Sequence, residues 1–309
     1  MKKPLPLLSL FHTSLVVALY LFSFCFIPLS GWSGSGTTTA AFLEMMPNGR
    51  AAGMGNAYTA WANEASAMAW NPAGLTRVKS FSLHAMYQLY VQGTSYQYLA
   101  AACDLPGLGM FGVQAAMLGS GNIPKTTEDS SGGLVESGNS FTASDINVGI
   151  GWATKLMFGM RMGVVGTWLQ QRIDATTTSG FVADIGWQWT LFQMFHLGVM
   201  YAHLGPEMNG ERLPSTWRAG AAISLDPLLL VGEVSQTIGA SMVYHVGAEY
   251  DLLDILAVRG GYQTGMGTGG LSGFVGGMGL RWSPFNLDYA MAPMGDLGVS
   301  HRVSLGLNF

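Results

Sequence analysis

Apolar and polar residues alternate one by one over long stretches of this chain. Near its end Val299, Val303, Leu305, Leu307 and Phe309 share one face with His301, while Ser300, Arg302, Ser304, Gly306 and Asn308 take the other. Ile146, Val148, Ile150 and Trp152 oppose Asn147, Gly149, Gly151 and Lys155 in the same way. Phe274, Met278, Leu280 and Trp282 oppose Gly273, Gly277, Gly279 and Arg281; Phe181, Ile185, Trp187 and Trp189 oppose Asp184 and Gln188. A period of two belongs to strands, whose side chains point alternately to opposite faces. Such segments number about fourteen: 78–92, 95–104, 109–118, 145–156, 161–173, 180–190, 195–203, 215–225, 228–236, 241–251, 255–263, 271–282, 284–291 and 298–309. Their connections alternate in length. One set is tight (104–109, 158–159, 226–227, 252–254, 283–284) and the other is mostly longer (119–144, 204–214, 264–270). Bacterial membrane barrels have short periplasmic turns and longer external loops, with an even strand count. That puts both chain ends on the periplasmic side, and the 119–144 loop, with Lys125, Glu128, Asp129 and Glu136, outside in solvent or over the mouth.

The start of the chain follows a different plan. Lys2 and Lys3 precede an apolar stretch over 14–29 containing Val16, Val17, Leu19, Leu21 and Phe22, and small residues follow at Ser30, Gly31, Ser33 and Gly34. This is the layout of a secretory leader, expected to cover 1–34 with cleavage between Ser30 and Ser35. The other reading is an uncleaved anchor. Phe24 is too bulky to precede a lipidated Cys25, and Cys103 then stands alone in the mature chain, so no internal disulfide forms. No second apolar run approaches the roughly 18 residues of a spanning helix.

Composition narrows the class. Of 309 residues 10% are charged and 43 are Gly, with a mean hydropathy of +0.29; soluble domains carry roughly 25% charged residues. The apolar content excludes disorder, and the glycines lack the three-residue period of collagen. A net charge of −4, or −6 once Lys2 and Lys3 are removed to leave 12 basic against 18 acidic residues, gives no footprint for nucleic acid. An exported, apolar chain without spanning helices has a closed barrel as its way of pairing every backbone group in lipid. The expected fold is therefore all-β, a transmembrane antiparallel barrel of about fourteen strands over 78–309. Its location is the bacterial outer membrane, with membrane lipid and the outer-membrane assembly machinery as partners. Trp32, Trp152, Trp168, Trp187, Trp189, Trp217 and Trp282 are candidates for interfacial girdles.

Residues 35–77 do not alternate and form a separate N-terminal segment, helical or irregular. Its stretch 56–70 is Ala-rich, with Tyr58, Trp61, Ala65 and Met68 at helical spacing. Asn56 is a candidate cap, and Asn71-Pro72 a stop. The segment is expected to plug the barrel or to cap its periplasmic end.

The same segment carries a family resemblance. Phe42-Leu43, Gly49-Arg50-Ala51-Ala52-Gly53-Met54-Gly55-Asn56-Ala57-Tyr58 and Trp70-Asn71-Pro72-Ala73-Gly74-Leu75 resemble the N-terminal signature of PorV/PorQ-type outer-membrane proteins, a group similar to the wider FadL family of transporters of fatty acids and hydrophobic compounds. The likeness continues through Leu204-Gly205-Pro206, Gly247-Ala248-Glu249-Tyr250, Arg259-Gly260-Gly261-Tyr262, Asp288-Tyr289-Ala290, Gly295-Asp296-Leu297-Gly298 and His301-Arg302-Val303-Ser304-Leu305. It implies a fourteen-stranded barrel with its N-terminal segment folded into the lumen as a hatch. The hatch motif rests on Gly49, Arg50, Gly53, Gly55, Asn71, Pro72, Ala73 and Gly74. Two roles follow from the resemblance: passive uptake of hydrophobic small molecules in the manner of FadL, or a component of a type IX protein secretion machine in the manner of PorV, with secretion-system proteins as partners.

Lys155, Asp184, Arg218, Glu233, Glu249, Arg281, Asp288 and Arg302 fall on the lumen-facing register, where charge avoids a cost of about 2–4 kcal/mol for Lys or Arg in lipid. They form a polar gate against hatch or ligand, or an internal salt-bridge lattice, the simpler of the two. Gly265-Met266-Gly267-Thr268-Gly269-Gly270 matches a dinucleotide fingerprint only in letters, because a strand rather than a helix follows it. His84, His196, His203, His245 and His301 lack metal-ligand spacing. No nucleophile elbow is present. No catalysis, metal or cofactor is expected.

Overall fold

The computed structural model describes residues 38–309 apart from 129, 254 and 265–272. The leader over 1–34, Trp32 and the 265–270 glycine loop lie outside the described residues. Sixteen strands are described, and fourteen close into one antiparallel barrel. In chain order these are β1 (Phe81–Leu89), β2 (Ser95–Leu105), β3 (Gly109–Gly119), β6 (Ala143–Lys155), β7 (Met160–Ile173), β8 (Thr176–Leu191), β9 (Phe195–Leu204), β10 (Thr216–Leu225), β11 (Leu228–Thr237), β12 (Val243–Leu252), β13 (Leu256–Gln263), β14 (Gly273–Trp282), β15 (Phe285–Pro293) and β16 (Val299–Asn308). The seam closes by pairing β1 with β16, from Ser82 opposite Asn308 to Leu89 opposite His301. Closure removes every free sheet edge from the wall.

The first strand starts at Phe81 rather than 78. Val78 still belongs to the turn before it, through its N–H on Leu75 O, and ladder partners begin where Phe81 meets Cys103. The 119–144 connection is more ordered than a plain loop. It holds a two-stranded hairpin of β4 (Ile123–Glu128) and β5 (Leu134–Phe141), with an irregular register between Pro124 and Thr126, exposed at Thr126, Thr127, Leu134 and Val135 and half-buried at Ile123, Lys125 and Phe141.

Outside, the wall presents Leu99, Val113, Val148, Ile150, Phe181, Val246, Phe274, Met278, Val303 and Leu305. Aromatic residues gather at the end carrying the tight turns: Trp152 and Trp189 donate their indole N–H to Leu108 O and Phe158 O, and Trp282 stacks on Phe285. Inside, the core forms between the wall and the segment that precedes β1. Trp70, Tyr58, Met54, Met68 and Leu75 of that segment are fully buried.

That segment is not the helix its Ala-rich pattern predicts. It holds a turn at Ala41–Glu44, a short α1 (Gly49–Gly53), irregular backbone over 54–66, α2 (Ala67–Trp70) and a 3-10 turn at Pro72–Arg77. Asn56 is in the left-handed conformation (φ 61) and so does not cap a helix; α2 ends before Asn71 as a following Pro requires. The wall supplies the reason. Backbone groups that a helix would pair internally are instead paired by wall side chains, which leaves the ladder no advantage.

Candidate functional site

The lumen is built from two features of the wall that the period-two pattern already contains. The first is a belt of glycines. Gly112 on β3, Gly151 on β6, Gly163 on β7, Gly186 on β8, Gly198 on β9, Gly247 on β12, Gly261 on β13 and Gly277 on β14 face inward against the segment. A methyl at Gly163 would stand 2.6 Å from Ala73 N, one at Gly198 2.5 Å from Thr59 O, one at Gly151 2.6 Å from the Met68 sulfur, and one at Gly247 2.7 Å from Met54 C. Each is closer than atoms pack. The missing side chains let segment backbone lie directly on strand backbone around most of the circumference.

The second feature is polar. Glu233 accepts from the backbone N–H groups of Tyr58 and Thr59, both at 2.9 Å, and from Arg218 Nη1 at 3.1 Å. Gln188 Nε2 donates to Thr59 O and Ala62 O, both at 3.1 Å. Ser82 and Ser304 hydroxyls accept from Ala65 N and Gly49 N, each at 2.9 Å, and His245 Nδ1 meets Gly55 O at 2.8 Å. Arg302 donates to Met46 O and to Asn56 Oδ1.

The motif residues take defined places. Asn71 caps the 3-10 turn by accepting from Ala73 N, and its Nδ2 donates to Thr59 O and to the strand carbonyls of Trp187 and Val199. Pro72 opens that turn and, with Ala73, lies on Gly163. Gly74 fits because a side chain there would strike the Ala62 carbonyl, and Gly55 (φ 69) takes a left-handed turn against Tyr262. Gly49 and Gly53 let α1 touch Ser304 and Gly277.

Seven of the eight wall charges lie within the lumen; Lys155 shares the register but is exposed at the tip of β6. Three guanidiniums converge on Glu249: Arg50 through Nε at 2.8 Å and Nη2 at 2.6 Å, Arg259 through Nε at 2.5 Å, and Arg281 through Nη2 at 2.7 Å. Arg259 also pairs with Asp288 at 2.6 Å and Arg281 with Asp251 at 2.5 Å. Asp184 stands apart, accepting from His203 N at 2.6 Å where the β8–β9 register slips between Ala183 and Ile185. Arg259 is the principal residue that the sequence reading left off its list of charges. Its alternation with outward Val258 was the signal that could have found it.

Cavities lie at both ends of the lumen among the described residues. Near the loop end one of about 30 Å³ has a mixed lining, with Leu43, Met45, Met46 and Val182 facing Gln114, Asn147, Thr167 and, at the register slip, Asp184. Above it Phe42 and Leu43 pack with Leu169, Val182, Met208 and Leu213. The two methionines make that side of the wall adaptable. The second, of about 750 Å³, opens at the turn end and is polar, with Arg50, Glu64, Arg77, Lys79 and Asp288 among its walls. Among the described residues no group of three or more His, Cys, Asp or Glu is placed to hold a metal.

Comparison with protein-family models and with curated sequences gives no match. Comparison with solved structures does. The chain is similar to the Pseudomonas putida toluene transporter TodX at TM-score 0.68 and 12% identity, covering 90% of this chain and 98% of that one. It is similar to the Ralstonia pickettii toluene transporter TbuX at TM-score 0.62 and 13% identity, covering 85% and 98%, and to a Pseudomonas aeruginosa FadL homologue at TM-score 0.54 and 10% identity, covering 85% and 98%. The fold of this chain, a closed barrel of fourteen antiparallel strands, is similar to that of these solved outer-membrane transporters.

Proposed function

We propose that the chain is a passive outer-membrane channel for hydrophobic small molecules, exported by the leader over 1–34. The observation that carries this reading is the packing of residues 38–77 against the inner wall, with a small cavity of mixed lining, Leu43, Met45, Met46 and Val182 on one side and Gln114, Asn147 and Asp184 on the other, beside the register shift between β8 and β9. A molecule entering at the loop end between Phe42 and Leu213 does not cross the charged lattice around Glu249, and it has to widen this cavity by displacing the flexible Met45 and Met46 side chains. It leaves when the segment shifts or sideways at Asp184, where the ladder is already interrupted. The apolar outer wall with its aromatic fringe supports a place in lipid. The likeness to toluene transporters and a FadL homologue supports the substrate class. The test is uptake of labelled toluene by cells that lack other such channels. Expression of the chain raises the initial rate at least about fivefold, and Met46→Trp, which fills the cavity, removes the gain. A rate equal to that of empty cells refutes the reading.

One observation favours a second role, as a PorV/PorQ-type component of a secretion machine. The β4–β5 hairpin stands in solvent with Leu134 81% exposed and Val135 beside it, an unpaired ribbon of the kind that partners extend. Crosslinking through residue 134 in the native membrane yields a specific protein adduct under this reading and none under the first.

A further inference from the structure

The cations around the turn-end cavity divide into two groups. Arg50, Arg259 and Arg281 are neutralised by Glu249, Asp288 and Asp251. Arg77 and Lys79 line the same cavity, and among the described residues neither has a carboxylate within ion-pairing distance. The remaining acid there, Glu64, is held by Asn48 at 2.5 Å and Ser66 at 3.1 Å and faces His84 at 3.5 Å.

We propose that this vestibule binds an anionic head group of the carboxylate or phosphate class through Arg77 and Lys79. Arg77 is pre-positioned: its guanidinium lies over the Trp61 ring with Cζ 4.4 Å from the centroid, an arrangement in which the ring face favours the cation and fixes its plane. Its Nη1 is buried without an acceptor. An unfilled donor on a half-buried cation is costly, and an anion arriving in the cavity that Arg77 lines removes part of that cost. Arg161 adds to the surplus from β7: burial and repulsion from that guanidinium together push Arg77 down to about 10. A planar guanidinium matches the two oxygens of a carboxylate or phosphate, while Lys79 adds a mobile point charge at the rim. The volume of about 750 Å³ admits a hydrated head group, and Val78, Phe81, Phe285 and Phe309 at its walls leave room for a short apolar part beside it. The site does not depend on what the lumen transports.

The anion has two sources, a free ion in solution or the head group of an amphiphile in the adjacent leaflet. Calorimetric titration of the full chain in a neutral maltoside detergent, with sodium phosphate and separately with dodecyl phosphate against matched chloride, distinguishes them. Saturable binding of phosphate itself assigns the free ion; binding of dodecyl phosphate alone assigns the amphiphile. In either case the double variant Arg77→Gln, Lys79→Gln weakens binding about tenfold or more, the effect of losing charge-assisted hydrogen bonds, and Arg77→Lys restores part of it. Lys79→Gln alone, a change at an exposed position, weakens binding about threefold and keeps the test valid if the double variant misfolds. Absence of binding with both anions, or binding that these variants leave unchanged, overturns the proposal.

Discussion

Arg50, on the segment inside the barrel, grips Glu249, on the wall, with two hydrogen bonds of 2.6 and 2.8 Å across 199 positions of chain. The same carboxylate carries Arg259 and Arg281, so one acid ties the segment to three strands, β12, β13 and β14.

Replacing Glu249 by Gln removes the charge that three guanidiniums share and turns one of its two accepting oxygens into a donor facing them. The expected loss is about 3–5 kcal/mol, the cost of uncovering buried charge. Arg50→Gln costs less, because Arg259 and Arg281 still neutralise Glu249. Urea midpoints of the folded barrel, followed by its heat-modifiable gel mobility, rank the two; equal midpoints for Glu249→Gln and the parent chain contradict the lattice.

Gly186→Val drives a side chain into Asn71 and Pro72, whereas Gly166, on the outer face of β7, has open space where its Cβ would go. The inward substitution costs about 1–3 kcal/mol or more and loosens the 3-10 turn; Gly166→Val leaves stability within about 0.5 kcal/mol. Matched effects at the two positions would show that the segment is not seated on the strands.

Burial alone pushes the Glu64 carboxyl up, but His84, Arg50 and Ser66 outweigh it and hold it down at about 2. A carboxyl lower in the folded chain than its ordinary 4.5 contributes stability that is complete above pH 4.5 and is lost as pH falls toward 2. In Glu64→Gln the acid limb of the unfolding curve between pH 4.5 and 2 flattens relative to the parent chain. An unchanged limb would mean that Glu64 takes up its proton over the same pH range in the folded and unfolded chain.

Deleting residues 42–74 removes the polypeptide that fills the lumen. Planar-bilayer recordings then show stepwise ion conductance where the intact chain gives background current. Conductance unchanged by the deletion would place the seal elsewhere in the barrel.

The strands were legible because lipid and lumen impose opposite demands on alternate residues, so Ile150 and Gly151 report their faces without any knowledge of neighbours. The inward charges follow from the same register, and Arg259, next to outward Val258, lies on it as well. The segment was not legible. Tyr58, Trp61, Ala65 and Met68 are spaced as on a helix, yet their burial comes from a wall that surrounds them on all sides. The hydrogen bonds that decide the backbone at Thr59 come from Gln188 and Glu233, 129 and 174 positions away. Local pattern carries no trace of partners so distant. The glycines of the belt could be counted but not interpreted, since a glycine opposite Val148 or Phe274 reads equally as a loose strand position or as a seat for another backbone.

The glycine belt also dictates an order of assembly. With less than a methyl group of clearance at eight strands, residues 49–73 cannot be threaded into a finished cylinder. The strands must wrap the segment as a former while the ribbon is still open, and the β1–β16 seam is the place where that ribbon closes last. A plug seated this way sets the circumference of its own container.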